Sequence, residues 1–368
     1  NEPALFAAWG EPTLPPSARH ALEGQGGDHR LAHNLYGLLM ARASWEGFRK
    51  HAPQGRPFLL TRAGHAGVQR YAWAWTGDVE STWEGLKATL RALLGLSLSG
   101  VYFVGSDIGG FSGNPSPELY LRWFQMAALT PFFRLHAARW TKRREPWRLG
   151  EEVLEGVRWV MALRERLLPY LYTLAHRASR EGRPLLRPLF LEEGPYTEEA
   201  FLLGEALLVA PVLEEGARAK EVPLPPGGWY PWEEDRLFQG PTWARLPAPL
   251  DRIPLLVRAG TILPLLEEGA FALHLYPGAE GAEGRLYWDE GEGEGAYRLD
   301  RFHLLPAEGG FRLLWQGEGD LPWPWEGVRL RLFGKRLLRA YVEGKAHAAQ
   351  GGGVLLPPFR EAFLEVEG

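Results

Sequence analysis

Apolar residues recur at helical spacing over residues 31–50 and 81–96, and again around 117–129 and 150–181. Between them lie short apolar runs at 57–61, 71–75, 99–105 and 131–136. The first pattern predicts amphipathic helices and the second buried strands. Ser81, followed three residues later by Glu84, reads as a capping box opening the second helix. Strands joined by helical crossovers predict parallel βα units. Four such strands are half of the eight that close a (β/α)₈ barrel, and an open remnant exposes strand edges.

After about residue 186 the texture changes. Pro- and Gly-rich turns separate short apolar stretches at 206–213, 221–225 and 253–265, and a further block holds 284–291, 296–305 and 328–334. That spacing predicts antiparallel β structure. The expected fold class is therefore α/β plus all-β, the C-terminal half of a TIM barrel followed by two β-sandwich-like domains. The expected divisions are 1–185, 186–268 and 269–368. The acidic tract 289–295 (DEGEGEG) reads as a solvated hairpin loop, because it lacks the regular ligand spacing of a calcium loop.

Composition narrows the classes. Hydrophobic residues at 45% and charged residues at 23% are ordinary globular usage, and no apolar run reaches the ~18–20 residues of a bilayer span. The absence of Cys excludes a disulfide scaffold, a thiolate metal site and a Cys nucleophile. A net charge of −4 without a basic stripe argues against nucleic-acid binding. Six Lys, three Asn and three Met fit either a protein kept hot or a GC-rich gene. The 16 Trp are a large number, suited to stacking on sugar rings or to an aromatic core. The sequence opens on Asn1-Glu2-Pro3 with no signal or transit pattern, and an intracellular, cytoplasmic location is the expectation.

In parallel βα architectures, chemistry gathers at the C-terminal ends of strands. The polar residues that follow the four candidate strands are Arg62, then Asp78 in the turn Thr76-Gly77-Asp78, then Asp107, then His136, with Trp73, Trp75 and Phe111 interleaved. Two carboxylates, an Arg, a His and aromatic faces suit a sugar. Each also has an ordinary structural reading: Gly77-Asp78 as a turn, Asp107 as a cap for backbone amides, Arg62 in an ion pair, His136 as a satisfied polar residue. Their placement at successive strand ends favours the functional one.

The segments HNLYG (33–37), TRAGHAGVQRYAWAWTGDVESTWEGL (61–86), GSDIGGFSGNPSPELYLRWFQMAALTPFFRLH (105–136) and RERLLPYLY (164–172) together resemble the α-glucosidase family, glycoside hydrolase family 31. LLVAPVL, the GGWY turn at 227–230 and RAGTILPL resemble its proximal C-terminal domain, and YWDEGEGEGAY its distal one. The resemblance implies Asp78, in WTGD, as general acid/base. It implies Arg62 as a sugar-binding arginine, Trp75 lining the catalytic subsite, Asp107 and Phe111 as pocket residues, and His136 bonding sugar hydroxyls. Asn1-Glu2-Pro3 resembles the end of the family's W-x-D-M-N-E-P segment, which implies Glu2 as support for the nucleophile.

The family's nucleophilic Asp would stand two positions before Asn1, outside this sequence. The resemblance thus implies the C-terminal part of a retaining exo-α-glycosidase, foremost an α-glucosidase acting on malto- or isomalto-oligosaccharides. The alternatives are an inactive fragment, a subunit whose partner supplies the first half-barrel, or a sister activity such as α-xylosidase or transglycosylase. No cofactor and no metal are expected. The expected partners are an oligosaccharide substrate and either the missing N-terminal half or a second copy of the chain; neither nucleic acid nor membrane is expected.

Overall fold

Residues 13–367 are described by the computed structural model, so Glu2 lies outside the described residues. A short hairpin of β1 (Arg19–His20) and β2 (Gly27–Asp28) leads into α1 (His29–His51). The Asp28 carboxylate accepts the Leu31 N–H at 3.3 Å and caps the helix, while Arg49, Lys50 and His51 sit at its negative end. Then follow β3 (Leu60–Thr61), β4 (Trp73–Trp75), α2 (Trp83–Leu98), β5 (Val104–Asp107), α3 (Pro117–Ala127) and β6 (Phe132–Arg134). The four strands form one parallel sheet in the order β3-β4-β5-β6.

Three details differ from the sequence expectation. The cap of α2 is Thr82, whose Oγ1 accepts the Gly85 N–H at 2.9 Å; the Ser81 hydroxyl instead accepts from Arg144 at 3.0 Å. The strand expected at 99–105 starts only at Val104, because Ser99 and Gly100 close α2, with Gly100 at φ +85° and the Val101 N–H returning to the Leu96 carbonyl at 2.9 Å. The helix expected over 150–181 is two, α4 (Glu151–Arg166) and α5 (Leu168–Glu181). Pro169 has no N–H to donate to the preceding turn, so the hydrogen-bond ladder breaks there.

α3 is buried continuously from Leu119 to Ala127, as expected of a helix enclosed on all sides. Its Arg122 guanidinium donates to the carbonyls of Ala217, Ala248, Pro249 and Arg252, which ties the parallel sheet's helix layer to the β structure that follows.

That β structure comprises two sheets. In the first, β7 (Leu186–Arg187), β8 (Phe201–Leu203), β9 (Leu207–Val209), β10 (Ala219–Pro231), β11 (Phe238–Pro247) and β12 (Leu255–Arg258) are antiparallel in the order β11-β10-β12-β9-β8-β7. Residues 227–230, expected as a turn, continue β10 past a register shift after Leu224. The second sheet has ten strands: β13 (Thr261–Glu267), β14 (Ala270–Tyr276), β15 (Ala282–Asp289), β16 (Tyr297–Ala307), β17 (Gly310–Glu318), β18 (Val328–Leu332), β19 (Leu337–Val342), β20 (Lys345–Ala348), β21 (Gly353–Leu356) and β22 (Glu361–Val366). The division expected at 268/269 falls in the tight turn joining β13 to β14, which pair over their whole length. The change of sheet comes earlier, at Ala259-Gly260.

Alternate residues of β13 serve different cores: Leu263 and Leu265 pack with the helices and parallel sheet, Ile262 with Phe271, Phe302 and Leu364 of the distal sheet. Trp288, Trp315, Trp323 and Trp325 meet edge to face there, with Trp325 stacked on Phe271, so part of the tryptophan content belongs to the distal core and its margin. Among the described residues no helix is long and apolar enough to cross a membrane.

Candidate active site

All four strands of the parallel sheet point the same way, so the residues just after them share one rim. Arg62 follows β3, Trp75 ends β4, Asp107 ends β5 and His136 lies two residues past β6. The sequence permits close strand spacing where the rim is tightest. A Cβ on Gly105 would lie 2.0 Å from the Phe132 carbonyl oxygen, so only glycine fits beside β6.

After β4 the chain turns through Gly77 at φ +78° and presents Asp78 to solvent. An Nη1 of Arg62 sits 2.7 Å from Asp78 Oδ2. Both side chains are partly exposed, 33% for Arg62 and 43% for Asp78, and the pair stands open at the rim.

Asp107 is its buried counterpart. Arg134, its cross-strand neighbour in the ladder, places Nε at 3.0 Å and Nη2 at 2.6 Å from the same oxygen, Oδ1. The guanidinium also lies 5.0 Å over the Trp75 ring and 5.3 Å over Phe132, so it is held by charge and by aromatic faces. Burial is the largest influence on Asp107 and pushes its pKa up; Arg134 and His136 pull against it, and the charge of Asp78 adds to the rise. The other oxygen, Oδ2, is buried without a hydrogen-bond partner among the described residues, and so is Nε1 of Trp75. Each is a buried polar atom whose hydrogen-bonding capacity these residues leave unused.

Phe111 and His136 face each other with ring centroids 5.5 Å apart. Backbone bonds knit the loops: the Phe111 N–H donates to the Val79 carbonyl at 2.7 Å, and the Ala138 N–H to the Phe111 carbonyl at 2.9 Å. A cavity of about 330 Å³ opens beside His136, lined also by Arg139, Thr141 and Lys142. The structure thus brings Arg62 to Asp78, Trp75 to Asp107 through Arg134, and Phe111 to His136, all on one rim. Sequence reasoning missed Arg134. The signal was present, since the strand period of two puts Phe132, Arg134 and His136 on one side of β6.

Residues 1–174 match the model of the glycosyl hydrolases family 31 TIM-barrel domain, and residues 182–263 that of the family 31 C-terminal domain. The chain belongs to glycosyl hydrolase family 31. Human neutral alpha-glucosidase AB is 39% identical over 310 residues, 79% of this chain and 32% of its own length. A Flavobacterium johnsoniae family 31 dextranase complexed with glucose superposes with a TM-score of 0.85 at 26% identity, covering 93% of this chain and 50% of its own. The ER glucosidase II complex of a catalytic subunit with the binding domain of a regulatory subunit superposes at 0.80 with 29% identity, covering 92% and 43%. The chain therefore spans about a third to a half of the length of these relatives.

Proposed function

We propose that these residues are the C-terminal part of a retaining exo-α-glycosidase that removes terminal α-linked glucose from oligosaccharides. The observation that carries the reading is the rim itself, with the Arg62–Asp78 pair beside Asp107, Arg134 and Trp75 at the ends of parallel strands. Family membership and the α-glucosidase relatives support it. Asp78 serves as general acid/base. In its protonated form it gives the proton to the glycosidic oxygen, which departs with the C–O bonding pair, while a carboxylate from the remaining strands attacks the anomeric carbon. Asp78 then takes a proton from the water that replaces that carboxylate at carbon. Asp107 and Trp75 form one wall of the sugar subsite, and Phe111 and His136 border the ring.

A mutant of the Flavobacterium johnsoniae dextranase complexed with isomaltotriose is also among the similar structures and favours including isomalto-oligosaccharides in the substrate class. The experiment is hydrolysis of 4-nitrophenyl α-glucoside, maltose and isomaltose by the chain joined to an upstream half-barrel, with and without Asp78→Asn. Turnover should fall by ~10²–10⁴-fold in the variant. Turnover unaffected by the substitution would remove Asp78 from the chemistry.

A further inference from the structure

Arg144 lies in the loop after β6, and the loops of the rim gather round it. It is 6% exposed. Its Nη1 donates to the Gly109 carbonyl at 3.1 Å and to the Gly110 carbonyl; its Nη2 donates to the Gly113 carbonyl at 2.6 Å and to Ser81 Oγ at 3.0 Å. Among the described residues none of its hydrogen bonds is to a carboxylate, and burial lowers its pKa, with Tyr120 and Asp107 as the nearby groups acting the other way. Its own carbonyl accepts from Tyr120 Oη at 2.8 Å, which fixes it to α3.

A guanidinium taken out of water onto neutral acceptors carries a desolvation cost, so it is a costly way merely to fill space. What it supplies is a rigid planar fork that sets several oxygens at once. Those oxygens belong to a loop with no other regular structure: Gly109, Gly110 and Gly113 all have φ near +80°. A Cβ on Gly110 would come within 2.8 Å of the Ser81 backbone, so the two loops are in contact. The N–H groups of Phe111 and Ser112 both donate to the Val79 carbonyl, at 2.7 and 3.3 Å, and Ser81 N–H returns to the Ser112 carbonyl at 2.8 Å. Val79 is bonded directly to Asp78. The turn that presents Asp78 is thus attached to the 109–113 loop, and both are attached to Arg144.

We propose that Arg144 is a positioning residue for proton transfer by Asp78, holding the 77–81 turn through Ser81 and through the glycine loop bonded to Val79. The proposal rests on the reading of Asp78 as acid/base. Arg144 acts through these loops, its two Nη atoms committed to loop oxygens, and fixes the direction in which the Asp78 carboxyl faces the leaving oxygen.

Two measurements test it. In the 368-residue chain, Arg144→Lys should speed amide exchange of Ser81, Phe111 and Ser112 by ~10-fold or more, with protection in β13 to β17 unchanged. Ser81→Ala, a milder change that removes one acceptor, should act in the same direction to a smaller extent. In the chain joined to an upstream half-barrel, Arg144→Lys should lower kcat on maltose by ~10²-fold with KM altered less than ~3-fold. On α-glucosyl fluoride, whose fluoride leaves without a proton, kcat/KM, which reports the first step alone, should fall less than ~3-fold, whereas on maltose it should fall with kcat. Equal losses of kcat/KM on both substrates, no loss on maltose, or unchanged exchange in both variants would overturn the positioning role while leaving the function intact. A joined enzyme that cleaves neither substrate before substitution would instead remove the functional reading, and this proposal with it.

Discussion

Asp107 has one oxygen bound twice by Arg134 and one bound by nothing among the described residues. Such a carboxylate is tolerated because a single guanidinium offsets its lost hydration. Arg134→Met should therefore cost about 1–3 kcal/mol at pH 7, discounted because Arg134 is partly exposed. The pH dependence follows from the direction of the shift. Burial already holds the Asp107 pKa above its ordinary value, so the ionised form costs stability, and that cost is relieved as pH falls through the folded-state pKa. Without Arg134 the rise is larger. Thermal unfolding followed by circular dichroism at pH 7, 6, 5 and 4 should show the Tm deficit of the variant shrinking with acid, and a constant deficit would contradict this account. The strand ends of Asp107 and His136 were legible in the sequence. The partnership with Arg134 needed the register of β5 against β6, which a separation of 27 positions along the chain does not reveal.

The elements were legible where local patterning decides them and were misplaced where a distant group intervenes. Ser81 and Thr82 are both cap-forming types; Thr82 caps the helix, while Ser81 accepts from Arg144, 63 residues on. The acidic tract after β15 does join β15 to β16, but Asp289 at its start is not solvated. It accepts from Arg56 Nη2 at 2.8 Å, Tyr172 Oη at 2.6 Å, Tyr287 Oη at 3.0 Å and the Gly291 N–H at 2.9 Å. This links the distal sheet to α5 and to the segment between α1 and β3. Burial opposes its charge, but Arg56, the two tyrosines and the Gly291 amide outweigh it and hold the pKa down at about 2. Asp289→Asn should lower stability by about 1–3 kcal/mol near neutral pH. Because the folded pKa is depressed, the contribution of Asp289 is present above its ordinary value of 3.8 and lost as pH falls toward about 2. Wild type and variant should therefore converge in Tm between pH 4 and 2; a gap that persists in acid would show that Asp289 acts through packing rather than charge.

At the scale of the molecule, the parallel sheet ends in β3 on one side and β6 on the other, with no further strand on either edge among the described residues. A closed (β/α)₈ barrel has no such edges and holds reacting groups from several strands to within ~0.5 Å. The 368 residues alone should consequently turn over 4-nitrophenyl α-glucoside at least ~10³-fold more slowly than the same residues joined to an upstream half-barrel that carries the attacking carboxylate. Robust hydrolysis by the chain alone, abolished by Asp78→Asn, would show that a group within these residues attacks the sugar.

The order of helices and strands, the change from α/β to all-β texture and the strand-end positions of Arg62, Asp78, Asp107 and His136 followed from the sequence by itself, because periodicity and turn residues are properties of neighbours along the chain. The tertiary structure alone decided that Arg134 grips Asp107, that Arg144 gathers the glycine loop and Ser81, that Asp289 is buried, and that β13 joins the distal sheet. Each of these is a contact between segments far apart in sequence, where a buried polar group takes whichever partner the packed backbone brings within hydrogen-bond reach.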